Sequence, residues 1–597
     1  MTESTPRSPG RAAAAPRLRW CVVGRRGDGW SLVDVGADGA VGTALPVGDA
    51  DLPSAIADRE RTRAPRWVWC DTPHVYAPLL GAGVRVARCH DLRLVHQILR
   101  HAAAVGAGPA ASALRSAAEW NAPPRAAPAP PAATPGAPTL FDDEVAAAPE
   151  PGGVPESIDA ALAEFERQRA ALAAAQPSSG LARLIAAESA GALVAAELTA
   201  AGLPWDADEH DRILAAALGP RPPLGVKPER MQQIGADVRR HLDAPDAPLD
   251  SPPRLLRVLR AAGIEVASTS RWELREHEHP AIAPLLEYKK LSRLLTANGW
   301  TWLDDWVHDG RYRPVYVPGG VVTGRWASSG GGALQIPRML RPAIRADPGW
   351  VLVSADVAQL EPRVLAAMAG DRAMAAAGSG KDLYAGIVES GAVATREEAK
   401  YAVLGAMYGA TSGEGGRLVP RLRRAFPAAM RLVDDAAERG AAGGTVSTWL
   451  GRSSPAPDAE WNAAQAAASL PGASARDEAL ARRLARERGR FTRNFVVQGT
   501  AAEWALCWLA ELRTRLAGLD PVPADRAARA SGPVFARRPH LAFFLHDEVI
   551  VHAPLAQADA VSSAVEESAR AAGRLLFGST PVEFPLDLRA SERAEKS

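Results

Sequence analysis

The sequence predicts a multidomain chain of mixed α/β and α+β class, and three observations predict it. Val351-Leu352-Val353 and Leu541 to Phe544 are short β-branched or aromatic runs that end abruptly in polar residues, as buried strands do at a sheet edge. Between them, Arg396-Glu-Glu-Ala-Lys400-Tyr-Ala-Val-Leu404-Gly-Ala-Met-Tyr408-Gly409 carries helical rather than strand periodicity. Upstream, residues 18–103 alternate apolar runs (Trp20 to Val23, Trp67 to Cys70) with turns, then show a helical pattern through Leu92, Leu94, Val95, Ile98 and Leu99, a small α/β module.

Each of the two late runs delivers carboxylates to a sheet edge: Asp356-Val-Ala-Gln-Leu-Glu361 after the first, and His546-Asp547-Glu548 after the second. Asp356 and Asp547 are 191 positions apart, so only a folded domain can bring them together as a metal site. The helix between them makes the pairing credible. Arg396, Lys400, Leu404 and Tyr408 recur every fourth residue, forming one stripe that drifts about 40° per step and spans about 18 Å. Two cations would meet a triphosphate, Leu404 would cover the body of a nucleotide, and Tyr408 would reach its far end. Either half alone is weak, because Asp-x4-Glu is ordinarily a solvated pair and Arg-x3-Lys an exposed helix face.

Composition bounds these readings. The chain has 597 residues and 62.8 kDa, enough for several domains with their own cores. Its 47% hydrophobic and 23% charged content is that of a globular protein. A net charge of +1 does not announce a nucleic-acid binder, yet a basic groove offset by an acidic metal site gives such a total. Four cysteines without Cys-x-x-Cys spacing predict neither a zinc site nor a disulfide framework. Met1 to Arg19 is polar, with an Ala run too short for a signal segment, and no 18-residue apolar span is expected. The expectation is a cytoplasmic, nucleoid-associated monomer with no membrane partner.

The chain resembles the family A DNA polymerases, the bacterial DNA polymerase I family, through ordered motifs over its last three hundred or so residues. Asp356 to Arg363 resembles the first palm motif, Arg396 to Gly409 the fingers helix, and His546-Asp547-Glu548 the second palm motif. Thr323-Gly324-Arg325 with Leu334-Gln335-Ile336-Pro337 resembles the segment before the first palm motif. Arg490-x3-Asn494-x3-Gln498-Gly499-Thr500-Ala501-Ala502 resembles the helix along the primer-template minor groove. Departures are Val357-Ala358 in place of Tyr-Ser, Pro362 after Glu361, Leu404 for an aromatic, no asparagine after Gln335, and Tyr384 where histidine is common.

The resemblance implies a right-hand polymerase with an antiparallel palm sheet and helical fingers and thumb, adding dNTPs to a primer 3′ end on a DNA template, in repair or gap filling. Asp356, Asp547 and the Val357 carbonyl would hold two Mg2+ ions, with Mn2+ as a substitute, and Glu548 would join the catalytic acids from behind them. Arg396 and Lys400 would neutralise the triphosphate, with Lys400 placed to protonate the leaving group. Gln359, Tyr384 and Leu404 would line the dNTP pocket, and Glu361, held by Tyr408, would crowd out a 2′-hydroxyl. Arg325, Gln335, Arg490, Asn494 and Gln498 would meet minor-groove acceptors that are nearly the same for all base pairs. His546 would touch the primer terminus, and Lys289, Lys290 and Arg293 would grip phosphates from one exposed thumb face.

Residue by residue, the expected organisation is a tail (1–17); a degenerate, ribonuclease H-like 3′-5′ exonuclease-type domain (18–103); an Ala/Pro-rich flexible linker (104–155); helices completing the first domain (156–200); thumb and approach to the palm (201–322); and palm with fingers (323–597, fingers about 375–485). The N-terminal strands lack an Asp-x-Glu, and Ser189 stands where the last metal aspartate is expected, so the fold would persist without Asp71 supporting nuclease chemistry. In the linker Leu140-Phe141 resembles the end of a sliding-clamp-binding motif. Two alternatives stay open: a primer-template-binding protein with decayed catalysis, and a 3′-5′ exonuclease.

Overall fold

The computed structural model describes residues 18–123, 153–177, 179–223, 225–330, 332, 336–380, 382–409 and 413–594; Gln335 and Leu140-Phe141 lie outside them. Chain alternation builds the first sheet. β1 (Leu18–Arg26) and β2 (Gly29–Gly36) form a hairpin whose turn uses Gly27 at φ +61°, a left-handed conformation open to glycine. β3 (Leu45–Val47), α1 (Leu52–Arg63), β4 (Arg66–Trp69), α2 (Thr72–Gly81), β5 (Cys89–Asp91) and α3 (Leu92–Leu99) follow. The strand order is β3-β2-β1-β4-β5, with β4 parallel to both β1 and β5. Each parallel step is bridged by a helix, α1 and then α2, as parallel pairing requires.

The flexible linker expected from residue 104 is corrected over its first part. Residues 103–121 fold into short helices, including α4 (Pro109–Ser116). Val105, Ala111 and Leu114 join a core with Ile98, Leu99 and Leu181, and Trp120 is fully buried in the core of the first sheet. Four spaced apolar anchors suffice to dock this stretch, which its Ala and Gly content conceals. α5 (Ile158–Ala174) starts at the N-cap Ser157, and its first residue packs so closely on β1 that a Cβ on Gly24 would lie 2.5 Å from the Ile158 Cα.

α6 (Leu181–Ala201) corrects a second expectation, because it is long and apolar enough to cross a membrane, with a mean hydropathy of 1.4. Its most apolar window is 78% buried inside the fold, as in a core helix.

Next come β6 (Leu203–Pro204), α7 (Ala207–Leu218), α8 (Glu229–His241), α9 (Pro252–Ala261), α10 (Arg271–Leu274) and α11 (Ile282–Asn298). Leu214, Val238, Leu259, Leu285 and Tyr288 give these helices, the expected thumb, their own core. α12 (Trp300–Trp306), β7 (Val307–His308), β8 (Arg311–Tyr312), β9 (Val315–Val317) and β10 (Ala327–Gly330) lead to the expected palm.

β11 (Trp350–Val357) is followed by α13 (Leu360–Ala369) and α14 (Arg372–Ala377), and then by helices of the expected fingers, α15 (Leu383–Glu389), α16 (Arg396–Tyr408), α17 (Gly413–Ala425), α18 (Pro427–Ala441) and α19 (Ala459–Ala468). α20 (Ala475–Ala517) runs 43 residues, about 65 Å at 1.5 Å per residue, from fingers to palm. α21 (Gly532–Phe535), β12 (His540–Leu545), β13 (Glu548–Pro554), α22 (Ala558–Phe577) and β14 (Leu586–Ser591) complete the chain. The palm sheet is antiparallel in the order β12-β13-β11-β14. One face of it (Val351, Val353, Val549, Val551) packs with Trp504 and Trp508 of α20, and the other (Leu352, Ile550) with Trp205, Trp302 and Tyr312.

A buried ionic latch fastens the N-terminal module to the palm. Glu197 of α6 accepts from Tyr76 of α2 (2.8 Å), from Arg85 (3.0 Å) and from Arg513 of α20 (2.7 Å), while Arg513 also donates to the carbonyls of Val86 and Ala87. Burial raises the Glu197 pKa, but Arg513 and Arg85 outweigh it and hold the carboxyl at about 2, below its ordinary 4.5. A depressed carboxyl stabilises the fold above its unfolded pKa and loses that contribution as pH falls from 4.5 through 2. At 1.36 kcal/mol per pKa unit this is on the order of 3 kcal/mol. Glu197→Gln should therefore lower stability at pH 7 by about 3 kcal/mol, and its gap from the wild type should narrow as pH falls below 4.5. Urea midpoints at pH 7 and pH 3 check this; a gap independent of pH would remove the latch from the account.

Candidate active site

The ladder between β11 and β13 brings the two distant acids together. It runs from Trp350↔Pro554 to Asp356↔Glu548, and beyond the last rung the Val357 N–H donates to the Asp547 carbonyl at 2.9 Å. Asp547 stands in the β12–β13 connection, where its own N–H reaches back to the Leu545 carbonyl at 2.7 Å. That three-residue turn puts His546 at φ +55°, a strained region for a residue with a Cβ. Both aspartates are half-buried at the sheet's end.

These donors fit hard divalent cations, which take carboxylate and carbonyl oxygens. Among the described residues no three His, Cys, Asp or Glu side chains gather to hold an ion by themselves. An ion held by Asp356, Asp547 and the Val357 carbonyl would therefore complete its shell with water or substrate oxygens.

Beside the acids lies a cleft of about 170 Å³ lined by Arg325, Gln359, Glu361, Tyr384, His546 and Asp547. Glu361 is clamped from two sides: the Tyr408 hydroxyl donates to Oε2 at 2.8 Å, and Arg325 pairs with Oε1. Burial, reinforced by the neighbouring carboxylate, pushes the Tyr408 phenol up to about 12, so it stays a donor. Pro362 is the third residue of α13, where a missing N–H breaks no helical bond, so this departure from the family pattern is accommodated locally. Gln359, at φ +50°, spends its amide on Asp382 (3.1 Å) and the Leu383 N–H (3.3 Å) and so ties α13 to α15.

The four-residue stripe is real. α16 begins with a full capping box, Thr395 with Glu398, and presents Arg396, Lys400 and Tyr408 exposed with Leu404 half-buried, while Ala399, Ala402, Val403 and Ala406 face the fingers core. Arg396 pairs with Asp382 at 2.8 Å and lies 5.6 Å over the Tyr384 ring. On α20, Gln498 accepts from the Thr323 hydroxyl at 2.9 Å, Asn494 is half-exposed, and exposed Arg490 packs against Gly409.

Two expectations are corrected. Lys289 does not share an exposed face with Lys290 and Arg293: its ammonium donates to the Thr269 carbonyl (2.7 Å) and hydroxyl (2.9 Å), and burial lowers its pKa. It follows Leu285 by one helical turn and so leans toward the buried side of α11. Glu548 is directed at a structural partner rather than the chemistry. It is 2% exposed, and its oxygens accept from Arg341 at 2.5 and 2.6 Å. Arg341 and Asp382 escaped sequence reasoning because each is a single charged residue in a segment without periodicity. Asp587 did too; it flanks Asp356 across the sheet from β14.

In the N-terminal module Asp71 pairs with Arg93 at 2.9 Å, and Asp91 caps α3 and accepts from the Thr72 hydroxyl at 2.6 Å. Ser189 donates its hydroxyl to neither; its Oγ accepts from the Asp91 N–H at 3.2 Å.

The palm sheet, helical fingers and long crossing helix define a right-hand polymerase fold. The same fold occurs in the polymerase domain of Pol1 from M. smegmatis, solved with DNA primer-template and dNTP, at a TM-score of 0.64 and 17% identity over 95% of this chain and 93% of that one. The family model of DNA polymerase family A matches residues 259–591, and the chain belongs to that family. It is 31% identical over 330 residues to DNA polymerase I of Chloroflexus aurantiacus, covering 50% of this chain and 31% of the relative. Against the thermostable DNA polymerase I of Thermus aquaticus it is 27% identical over 357 residues, 55% of this chain and 37% of the relative. The chain thus spans about a third of the length of these curated relatives.

The Arg341–Glu548 pair yields a test of role. Glu548→Ala would strand a buried guanidinium and lower stability by about 3–5 kcal/mol, whereas replacing both partners, Arg341→Met with Glu548→Leu, should recover most of it. Denaturant midpoints of the three variants decide; an undiminished midpoint in Glu548→Ala would return this acid to the catalytic set.

Proposed function

We propose that the chain is a template-directed DNA polymerase that extends a primer 3′ end with dNTPs, acting in repair or gap filling, with no working proofreading site. The observation that carries this is the juxtaposition of Asp356 and Asp547 by the Val357–Asp547 backbone bond, beside a cleft that Asp547 lines and whose Glu361 is held by Tyr408 at the end of the α16 stripe. Asp356, Asp547 and the Val357 carbonyl would hold the divalent ions, which supply Lewis-acid stabilisation of phosphate charge. Arg396 releases Asp382 to take a triphosphate; a partly exposed pair of this kind is worth about 0–1 kcal/mol, so a polyanion outcompetes it. Lys400, one turn on, adds a second cation and a proton for the leaving group. Glu361, fixed by Tyr408 and Arg325, narrows the sugar side of the cleft and so favours a deoxyribose.

Arg490, Asn494 and Gln498 follow one another at single-turn spacing on α20, a row of donors suited to the minor groove of a primer-template. Loss of proofreading is supported by the engagement of Asp71 with Arg93 and of Asp91 with Thr72, and by a serine at position 189. Asp71 and Asp91 are thus both committed to partners within the module, which disfavours their sharing two metals.

Primer extension tests the reading. Asp356→Ala or Asp547→Ala should abolish Mg2+-dependent extension and leave duplex binding within a few-fold of wild type, because positioning and charge stabilisation make up most of phosphoryl-transfer catalysis. A primer with a mismatched 3′ end, incubated with Mg2+ and without dNTPs, should keep its length. Extension at the wild-type rate by either variant would refute the assignment.

Leu404 gives a second measurement. An aliphatic side chain where the family stacks an aromatic forgoes roughly 1 kcal/mol of ring contact, a several-fold effect. Leu404→Phe should lower the apparent KM for dNTP with little change in kcat; an unchanged or higher KM would show a pocket shaped around leucine.

A further inference from the structure

The N-terminal module contains a cavity that polymerisation does not use. It opens at the N-terminal ends of β1 and β4, where Trp20 pairs with Arg66 in the parallel ladder, whereas Asp71 follows the opposite end of β4. Its volume of about 550 Å³ lies within the roughly 300–1,000 Å³ of small-molecule sites. Three guanidiniums line it, those of Arg66, Arg88 and Arg169, together with Trp20, His90 and Phe165.

Each arginine is oriented by a contact of its own. Arg66 donates to the Cys89 carbonyl at 3.0 Å and Arg88 to the Ala64 carbonyl at 2.8 Å. Arg169 meets Glu166 at 3.2 Å, but that carboxylate is 70% exposed and held only by helix spacing. The Arg169 guanidinium also lies 5.4 Å from the Trp20 ring and 5.9 Å from Phe165, and these two rings meet edge to face at 5.6 Å. His90 contributes ring surface rather than charge: its Nε2 donates to Gln168 at 2.7 Å, and burial lowers its pKa to about 4. The first turn of the 21-residue α6 reaches the wall through Ala182, bringing the positive end of a helix dipole.

Arginines clustered in one pocket wall beside aromatic rings suit one ligand chemistry, a phosphate joined to a flat base. Arginine pairs bidentately with phosphate oxygens, and aromatic and guanidinium faces stack on bases. We propose that this pocket binds a nucleotide, its phosphate on Arg66, Arg88 and Arg169 and its base against Trp20 and Phe165. A free mononucleotide and the phosphorylated end of a single strand share that chemistry.

Isothermal titration of the full chain in EDTA, with dAMP, inorganic phosphate and a 5′-phosphorylated tetrathymidylate as probes, tests it. The expected result is one site for dAMP, weakened at least about tenfold by Arg66→Ala and by Arg88→Ala, weakened by Trp20→Leu for dAMP but not for inorganic phosphate, and unaffected by Lys400→Ala. The Arg88 side chain is exposed beside β5, so Arg88→Ala keeps the test valid if Arg66→Ala misfolds; primer extension by both should match wild type. Tighter binding of tetrathymidylate than of dAMP assigns the pocket to strand ends, and the reverse assigns it to free nucleotides. The proposal is overturned by no binding of either up to the order of a millimolar, by equal affinity for dAMP and inorganic phosphate, or by loss of the site in Lys400→Ala.

Discussion

The register of β11 on β13 is the constraint on which the site depends. A slip of one residue would turn Val351, Val353 and Ala355 from the α20 face to the opposite one and carry Asp356 away from Asp547. Two interactions at the end of the ladder oppose that slip: the Arg341–Glu548 ion pair grips its last rung, and the Val357–Asp547 backbone bond extends it by one. The strained turn at His546 is tolerable because both flanking strands are buried and paired.

Around those acids the cleft satisfies its own charges. Glu361 holds Arg325 and Tyr408, and Asp382 holds Arg396 and Gln359, so palm and fingers are joined by side-chain pairs. Because Arg396 is 57% exposed, its pair costs little to open. Buried pairs behave otherwise. Glu548 and Glu197 sit in low dielectric with matched arginines, where removal of one partner leaves an uncompensated charge.

The N-terminal module is structurally inseparable from the palm. α6 contributes Val194 and Leu198 to the palm core and Leu193 and Ala196 to the core of the first sheet, so a single helix serves both. Glu197, between those faces, adds the ionic latch. Within that module Asp71 is paired with Arg93.

Much of the site was legible in the sequence because its signals are local. Strand alternation ending in Asp356 and Asp547, and a stripe repeating every four residues from Arg396 to Tyr408, depend only on neighbouring residues, and the structure realises both as β11, the β12–β13 turn and α16. The motif order likewise led to the family. Local pattern misjudged residues 104–121, whose sparse anchors gain value only against α5 and α6, and α6 itself, whose apolar length is ambiguous until its burial is seen. It also misdirected Lys289, because helix spacing does not say which loop packs alongside. Only tertiary structure decided that Glu548 answers Arg341 and that three arginines from separate segments line one pocket: such encounters depend on non-local packing, and a charged residue carries no mark in the sequence of the partner that folding will bring to it.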